Sequence, residues 1–167
     1  RSSLAVMDAP IPQPRTPARP PVAWVPFATM AETAPIRTAV WGTGNVGRAA
    51  IRAVDAHPDQ ELSAVLVANP AKVGRDAGDI GDVGRALGVT ATNDVDAVLA
   101  SGPDAVVYAA SGDIRPDDAL ADLARCVRSG AVVVTPSVYG LYDPAGAGPE
   151  LRGPIDDAVA AGGGSLF

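Results

Sequence analysis

"AVWGTGNVGRAAIRAV" (residues 39–54) begins as an apolar run, breaks at Gly42, Gly44 and Gly47, and resumes with helical spacing. The glycines fit G-x-G-x-x-G, the turn that carries a strand into a helix where a dinucleotide binds. Each has its own physical reason. Gly42 permits the sharp exit from the strand, Gly44 lets a pyrophosphate approach the backbone, and Gly47 lets the helix pack close to the sheet. The helix N-terminus adds unpaired N–H groups and a partial positive charge. Thr43, Asn45 and Val46 occupy the variable positions, so Gly42 to Gly47 form the candidate phosphate-binding turn. A glycine triplet is weak evidence alone, because a structural tight turn looks the same. The weight falls on its surroundings.

Those surroundings alternate. "IRTAVW" (36–41) reads as a buried strand, and 45–56 as a helix with Val46, Ala49, Ala50, Ala53 and Val54 on one face. "LSAVLVA" (62–68) is a second strand, and "GVTAT" (88–92) a short third, followed by a helix over 94–100. "DAVVYAA" (104–110) is a fourth. The helix over 116–129 lines up Ala119, Leu120, Leu123, Ala124 and Val127. "AVVVT" (131–135) is a fifth strand, 154–161 a weaker helix, and "SLF" (165–167) begins a sixth. Strands that are apolar throughout, alternating with helices, predict an α/β fold: a Rossmann-type doubly wound parallel sheet covered on both faces. The expected domain spans 36–167 and is cut in strand six, with the substrate domain absent.

Residues 1–35 differ. Eight of the sixteen prolines lie there, and prolines this dense remove backbone donors and fix φ. The expectation is a disordered, Pro-rich arm. "PRTPARPP" also fits a ligand of a polyproline-binding domain, although such motifs occur freely in tails of this kind. The chain opens on Arg, and Met30 is an expected natural start.

Composition narrows the function. The chain has 167 residues, 47% hydrophobic, with net charge −6 and 4% aromatic residues. The acidic balance and scarce aromatics argue against nucleic acid as a partner. One cysteine, Cys126, forms no internal disulfide and suits a reducing, cytoplasmic setting. One His and one Cys argue against a zinc site. No apolar run reaches the ~20 residues of a membrane helix, so no membrane partner is expected.

The end of the second strand bears on cofactor choice. NAD-preferring sites place an acid ~20 residues beyond the glycines to hold the ribose hydroxyls. Here Ala68, Asn69 and Pro70 stand there, with Glu61 too early and Asp76 too late. Lys72 or Arg75 could pair with a 2′-phosphate, which favours NADP over NAD; otherwise both are solvated loop charges. The fourth strand runs into Ala110 and Ser111, small enough to let a cofactor ribose and nicotinamide pass. The fifth runs into Thr135, Ser137 and Tyr139, polar where an apolar loop would suffice. Tyr139 is a conceivable proton donor, and no catalytic residue is assigned. His57 reads as a helix C-terminal cap, and Cys126 as a helix residue at the core margin.

Together, "AVWGTGNVGRAAIRAV", "KVGRDAGD" and "VVYAASGDIRPDDALADLARCVRSGAVVVTPSVYGLYDP" resemble the dihydrodipicolinate reductase-like oxidoreductases, in the branch beside 2,4-diaminopentanoate dehydrogenase and the native amine dehydrogenases. The resemblance implies a nicotinamide-dependent reductase of C=N or C=C bonds in a small molecule, often dimeric, with NAD(P)H as hydride donor. Amine dehydrogenases of this group carry an acid in a segment like S-E-E-L-x-Y-P; here Val138 takes that place. The His-His-x-x-Lys motif of the lysine-pathway reductases has no counterpart. Two rival readings are a nucleotide-sensing module without chemistry and a homoserine- or semialdehyde-type dehydrogenase domain.

Overall fold

A computed structural model describes residues 34–143 and 145–167; the expectations for the proline-rich arm and for Met30 lie outside the described residues. Five parallel strands, β1 (Ile36–Trp41), β2 (Gln60–Leu66), β3 (Ala105–Tyr108), β4 (Val132–Val134) and β5 (Ser165–Leu166), form one sheet in the order β2-β1-β3-β4-β5. Strand order reverses at β1, so the crevice beyond the carboxyl ends of β1 and β3 is the place where such folds bind ligands.

Helices cover the sheet from two sides. Alternation along β1 sends Val40 to one face, with α1 (Asn45–Ala56) and α2 (Ala77–Gly81), and sends Ala39 and Trp41 to the other. That second face packs on α3 (Val95–Ala100), α4 (Pro116–Arg128) and α5 (Pro149–Gly162) through Val98, Leu123, Val127, Ile155 and Ala158. A bulge at Ser63 in β2 keeps this pattern: Thr38 pairs with Leu62, and Ala39 with Ala64. Leu62 and Val65 thus face α1, whereas Ala64 and Leu66 face α3 and α4. The doubly wound parallel sheet is the predicted one.

Four details depart from expectation. Residues 88–92 do not form a strand. Thr92 exchanges hydrogen bonds with Val65 and Val67, but Val89 and Ala91 bond to residues 74–77 instead, so the segment makes one isolated bridge on each side. The buried face of α1 runs through Gly47, Ile51 and Val54, while Val46, Ala49 and Ala53 are exposed. α5 starts five residues earlier than predicted, with Pro149 in its first turn, where a missing N–H costs nothing. Pro154 lies inside it on an exposed position, so only a solvent-facing bond is lost. Finally, among the described residues nothing covers the α1 side of the sheet at β4, where Val132 and Val134 stay 41% and 49% exposed.

Candidate cofactor site

The glycine turn is clamped between strand ends. Gly42 N–H donates to Leu66 O (2.9 Å), and Ala109 N–H donates to Trp41 O (2.7 Å). Gly42 has φ +97°, and a Cβ there would lie 2.7 Å from Ala110 N and 2.8 Å from Ala109 C. A Cβ on Gly47 would collide with Gly42 O. The fold itself therefore requires both glycines. Gly44 differs: its φ is −75°, and a Cβ would meet nothing within 4 Å. Nothing among the described residues requires a glycine there. Gly44 is the N-cap of α1, with no side-chain cap and no acid in the first turn. The amides of Asn45, Val46 and Gly47 precede the first intrahelical bond, Arg48 N–H to Gly44 O at 2.9 Å. Val46 is half-exposed in that first turn.

Lys72 reaches this turn from the β2 side. Asn69 ends the strand, and its Oδ1 accepts from Ala71 N–H (3.0 Å), starting the 3-10 turn Pro70–Lys72. From that turn Lys72 Nζ donates to Thr43 O (2.9 Å) and Thr43 Oγ1 (3.1 Å). Two of the three ammonium donors are so occupied, and Lys72 forms no ion pair among the described residues. Arg75 is exposed and likewise unpaired among them. Asp76 serves the fold: its carboxylate accepts from Gly78 (2.7 Å), Leu87 (2.9 Å) and Gly88 (2.9 Å) N–H groups. These bonds, led by Leu87, hold its pKa below the ordinary carboxylate value against the opposing effect of burial. "KVGRDAGD" is thus a cation aimed at the glycine turn followed by an Asp-capped helix.

Across the crevice, Ala110 is half-buried and Ser111 exposed at the end of β3. Thr135 Oγ1 and Ser137 Oγ donate to Tyr108 O (2.9 and 3.4 Å), and Ser137 N–H donates to Thr135 Oγ1 (3.0 Å). These polar residues fasten the β4 loop to β3. Ser137 is therefore spent on the scaffold, although it borders the site. Tyr108 O–H donates to Asp122 Oδ2 (3.0 Å), which also accepts from Arg115 (3.2 Å); burial and then Asp122 push the Tyr108 phenol above its usual pKa. Tyr139 is exposed and packs edge-on against Tyr142. Val138 is buried against the α4–α5 core. A mostly apolar cavity of about 780 Å³ opens beyond it, lined by Val134, Leu141, Ile155, Val159 and Phe167 among others.

His57 is the C-cap of α1, but its Nδ1 accepts from Asp59 N–H (3.2 Å) rather than serving the helix carbonyls. Cys126 is fully buried rather than marginal, and burial, with Asp122 second, pushes its thiol up to about 12. Sequence reasoning missed a polar cleft between Asn45, Arg48, Arg52 and Asp82. The four-residue spacing of Arg48 and Arg52, which puts both on one flank of α1, was the available signal.

Residues 36–135 match the family described as "Dihydrodipicolinate reductase, N-terminus". The chain is 67% identical over 132 residues to an amine dehydrogenase of Streptomyces virginiae, covering 79% of this chain and 37% of that protein. It is 36% identical over 95 residues to a 4-hydroxy-tetrahydrodipicolinate reductase of Neisseria meningitidis serogroup C, covering 56% and 33%. Among solved structures, the amine dehydrogenase of Mycobacterium smegmatis superposes with a TM-score of 0.67 at 32% identity, covering 78% of this chain and 38% of that one. A homoserine dehydrogenase of S. aureus shares the fold alone, at a TM-score of 0.56 and 16% identity over 80% and 32%. The chain spans about a third of the length of the curated relatives it matches.

Proposed function

The chain belongs to the dihydrodipicolinate reductase N-terminal family, and on that premise we propose that it is the NADP(H)-binding part of an oxidoreductase that reduces a C=N or C=C bond in a small molecule. The amine dehydrogenase relative at 67% identity favours C=N. The observation that carries the reading is Gly44, a glycine in ordinary backbone geometry with open space where its side chain would be. In this reading the Gly44–Gly47 backbone holds the pyrophosphate, and Val46 gives apolar contact. Asn69 and Lys72 face the adenosine ribose, where the ammonium pairs with a 2′-phosphate. Ala110, Ser111 and the Ser137 loop border the nicotinamide. Bound there, the nicotinamide supplies a hydride; the exposed phenol of Tyr139 is the candidate proton donor. A reducing, cytoplasmic location suits the free Cys126, and a homodimer is the expected assembly, to be read by analytical ultracentrifugation.

Hydride transfer also needs substrate held at near-attack distance with water excluded. Among the described residues β4 is bare on one face, and this chain alone is expected to bind cofactor weakly and to turn over no imine, ketone or unsaturated acid. NADPH oxidation with and without ammonia tests this; turnover above ~0.1 per second, two orders below a median enzyme, contradicts it. Cofactor choice is tested by fluorescence titration. NADPH should bind more tightly than NADH, and Lys72→Ala should erase most of the difference, since a charge-assisted hydrogen bond contributes ~1.5–3 kcal/mol, roughly tenfold or more. Equal affinities in the unmodified chain would remove the NADP assignment.

A further inference from the structure

The flank of α1 that faces α2 carries a polar cleft of about 390 Å³, lined by Asn45, Arg48, Arg52 and Asp82. One carboxylate stands beside two guanidinium groups there and pairs with only one of them. Arg48 pairs with Asp82 at 3.2 Å, while Arg52 donates to Gly81 O at 2.6 Å and forms no ion pair among the described residues. Arg48 Nε is buried and donates to nothing among the described residues. Asp82 is the α2 C-cap and, among the described residues, the only non-glycine with positive φ (63°); its carboxylate is 78% exposed. A strained, solvated acid thus holds one arm of a two-arginine cleft. Asn45 links that cleft to the glycine turn.

We infer that this cleft is an anion subsite for a phosphomonoester, with the Asp82 carboxylate standing on Arg48 until phosphate replaces it. Phosphate presents three oxygens to two planar forks, which a single carboxylate cannot satisfy. The 2′-phosphate of the cofactor is assigned above to Lys72, so the occupant here is a separate phosphate, free or carried by a second phosphomonoester, and the inference stands apart from the nucleotide reading.

The test is NMR titration of the ¹⁵N-labelled chain with inorganic phosphate, 2′-AMP and ADP-ribose, following the Arg48 Nε–H and the Gly44 amide. Phosphate and 2′-AMP should move Arg48 saturably, and ADP-ribose should move Gly44. Binding of 2′-AMP roughly tenfold or more tighter than phosphate would move the cofactor's 2′-phosphate from Lys72 to this cleft and overturn the separate subsite; equal affinities assign free phosphate. Movement of Arg48 with phosphate while ADP-ribose leaves Gly44 unmoved sustains the subsite and removes the nucleotide reading. Arg48→Ala should weaken phosphate binding about tenfold. Asp82→Asn keeps a side chain that tolerates left-handed backbone and removes the competing charge, so it should tighten phosphate binding. No shift of Arg48 with either phosphate probe, or an unchanged phosphate affinity in Asp82→Asn, would overturn the inference and leave the cleft as a tie between helices.

Discussion

Gly44→Ala separates the two reasons for a glycine in this turn. At φ −75° and ψ −161° an alanine is unstrained, and its Cβ touches nothing within 4 Å. Alanine is the poorer N-cap by roughly 1 kcal/mol, but it narrows the unfolded ensemble by ~0.4–1 kcal/mol. The two nearly cancel, so thermal midpoint should shift by no more than about 4 °C. Affinity should behave differently. A methyl at the point of closest approach costs the pyrophosphate at least one charge-assisted hydrogen bond, ~1.5–3 kcal/mol, or about 10- to 150-fold in dissociation constant. Gly42→Ala is the contrast, because its φ of +97° and contacts of 2.7–2.9 Å with Ala109 and Ala110 backbone should destabilise the fold by more than about 2 kcal/mol. NADPH fluorescence titration beside thermal unfolding reads both. Should Gly44→Ala bind NADPH within about twofold of the unmodified chain, the ligand-based account of Gly44 fails.

Tyr108→Phe removes a hydrogen bond to the ionised Asp122 and should cost about 1.5–3 kcal/mol in urea unfolding; a smaller loss means Arg115 alone holds that carboxylate. The raised thiol of Cys126 makes alkali destabilising. Stability from this group is complete below its ordinary value of 9.0 and is lost as pH rises toward about 12, with a slope near 1.4 kcal/mol per pH unit. Cys126→Ala should flatten that slope, and native Cys126 should resist a thiol reagent that labels the urea-unfolded chain. Asp76 has the opposite sign: its lowered pKa gives stability that is complete above its ordinary 3.8 and is lost as acid protonates it. Asp76→Asn should therefore lower the thermal midpoint at pH 7 more than at pH 3, and equal losses at both would assign its role to shape rather than charge.

What the sequence disclosed follows from how local each cause is. A glycine turn between an apolar strand and an amphipathic helix is written in adjacent residues, so β1, the turn and α1 were legible, as was the inward face of α4. The buried face of α1 was not, because hydropathy points to Val46 and the alanines, whereas the line of closest approach to the sheet runs through Gly47, whose value lies in having no side chain. Residues 88–92 read as a strand on composition, yet Val89 and Ala91 bond to residues 74–77 and only Thr92 reaches β2, beside the Asp76 carboxylate that gathers the amides of Leu87 and Gly88. The hydroxyls of the β4 loop have a use that adjacent residues do not reveal. Thr135 and Ser137 both donate to Tyr108 O, which fastens the loop to β3 at the edge of the proposed site. The same accounting isolates Gly44 and Lys72. Gly42 and Gly47 are explained by atoms of the domain, while the openness at Gly44 and the unneutralised ammonium of Lys72 on Thr43 are not. Both features meet at one turn, where the proposed cofactor phosphates would occupy them.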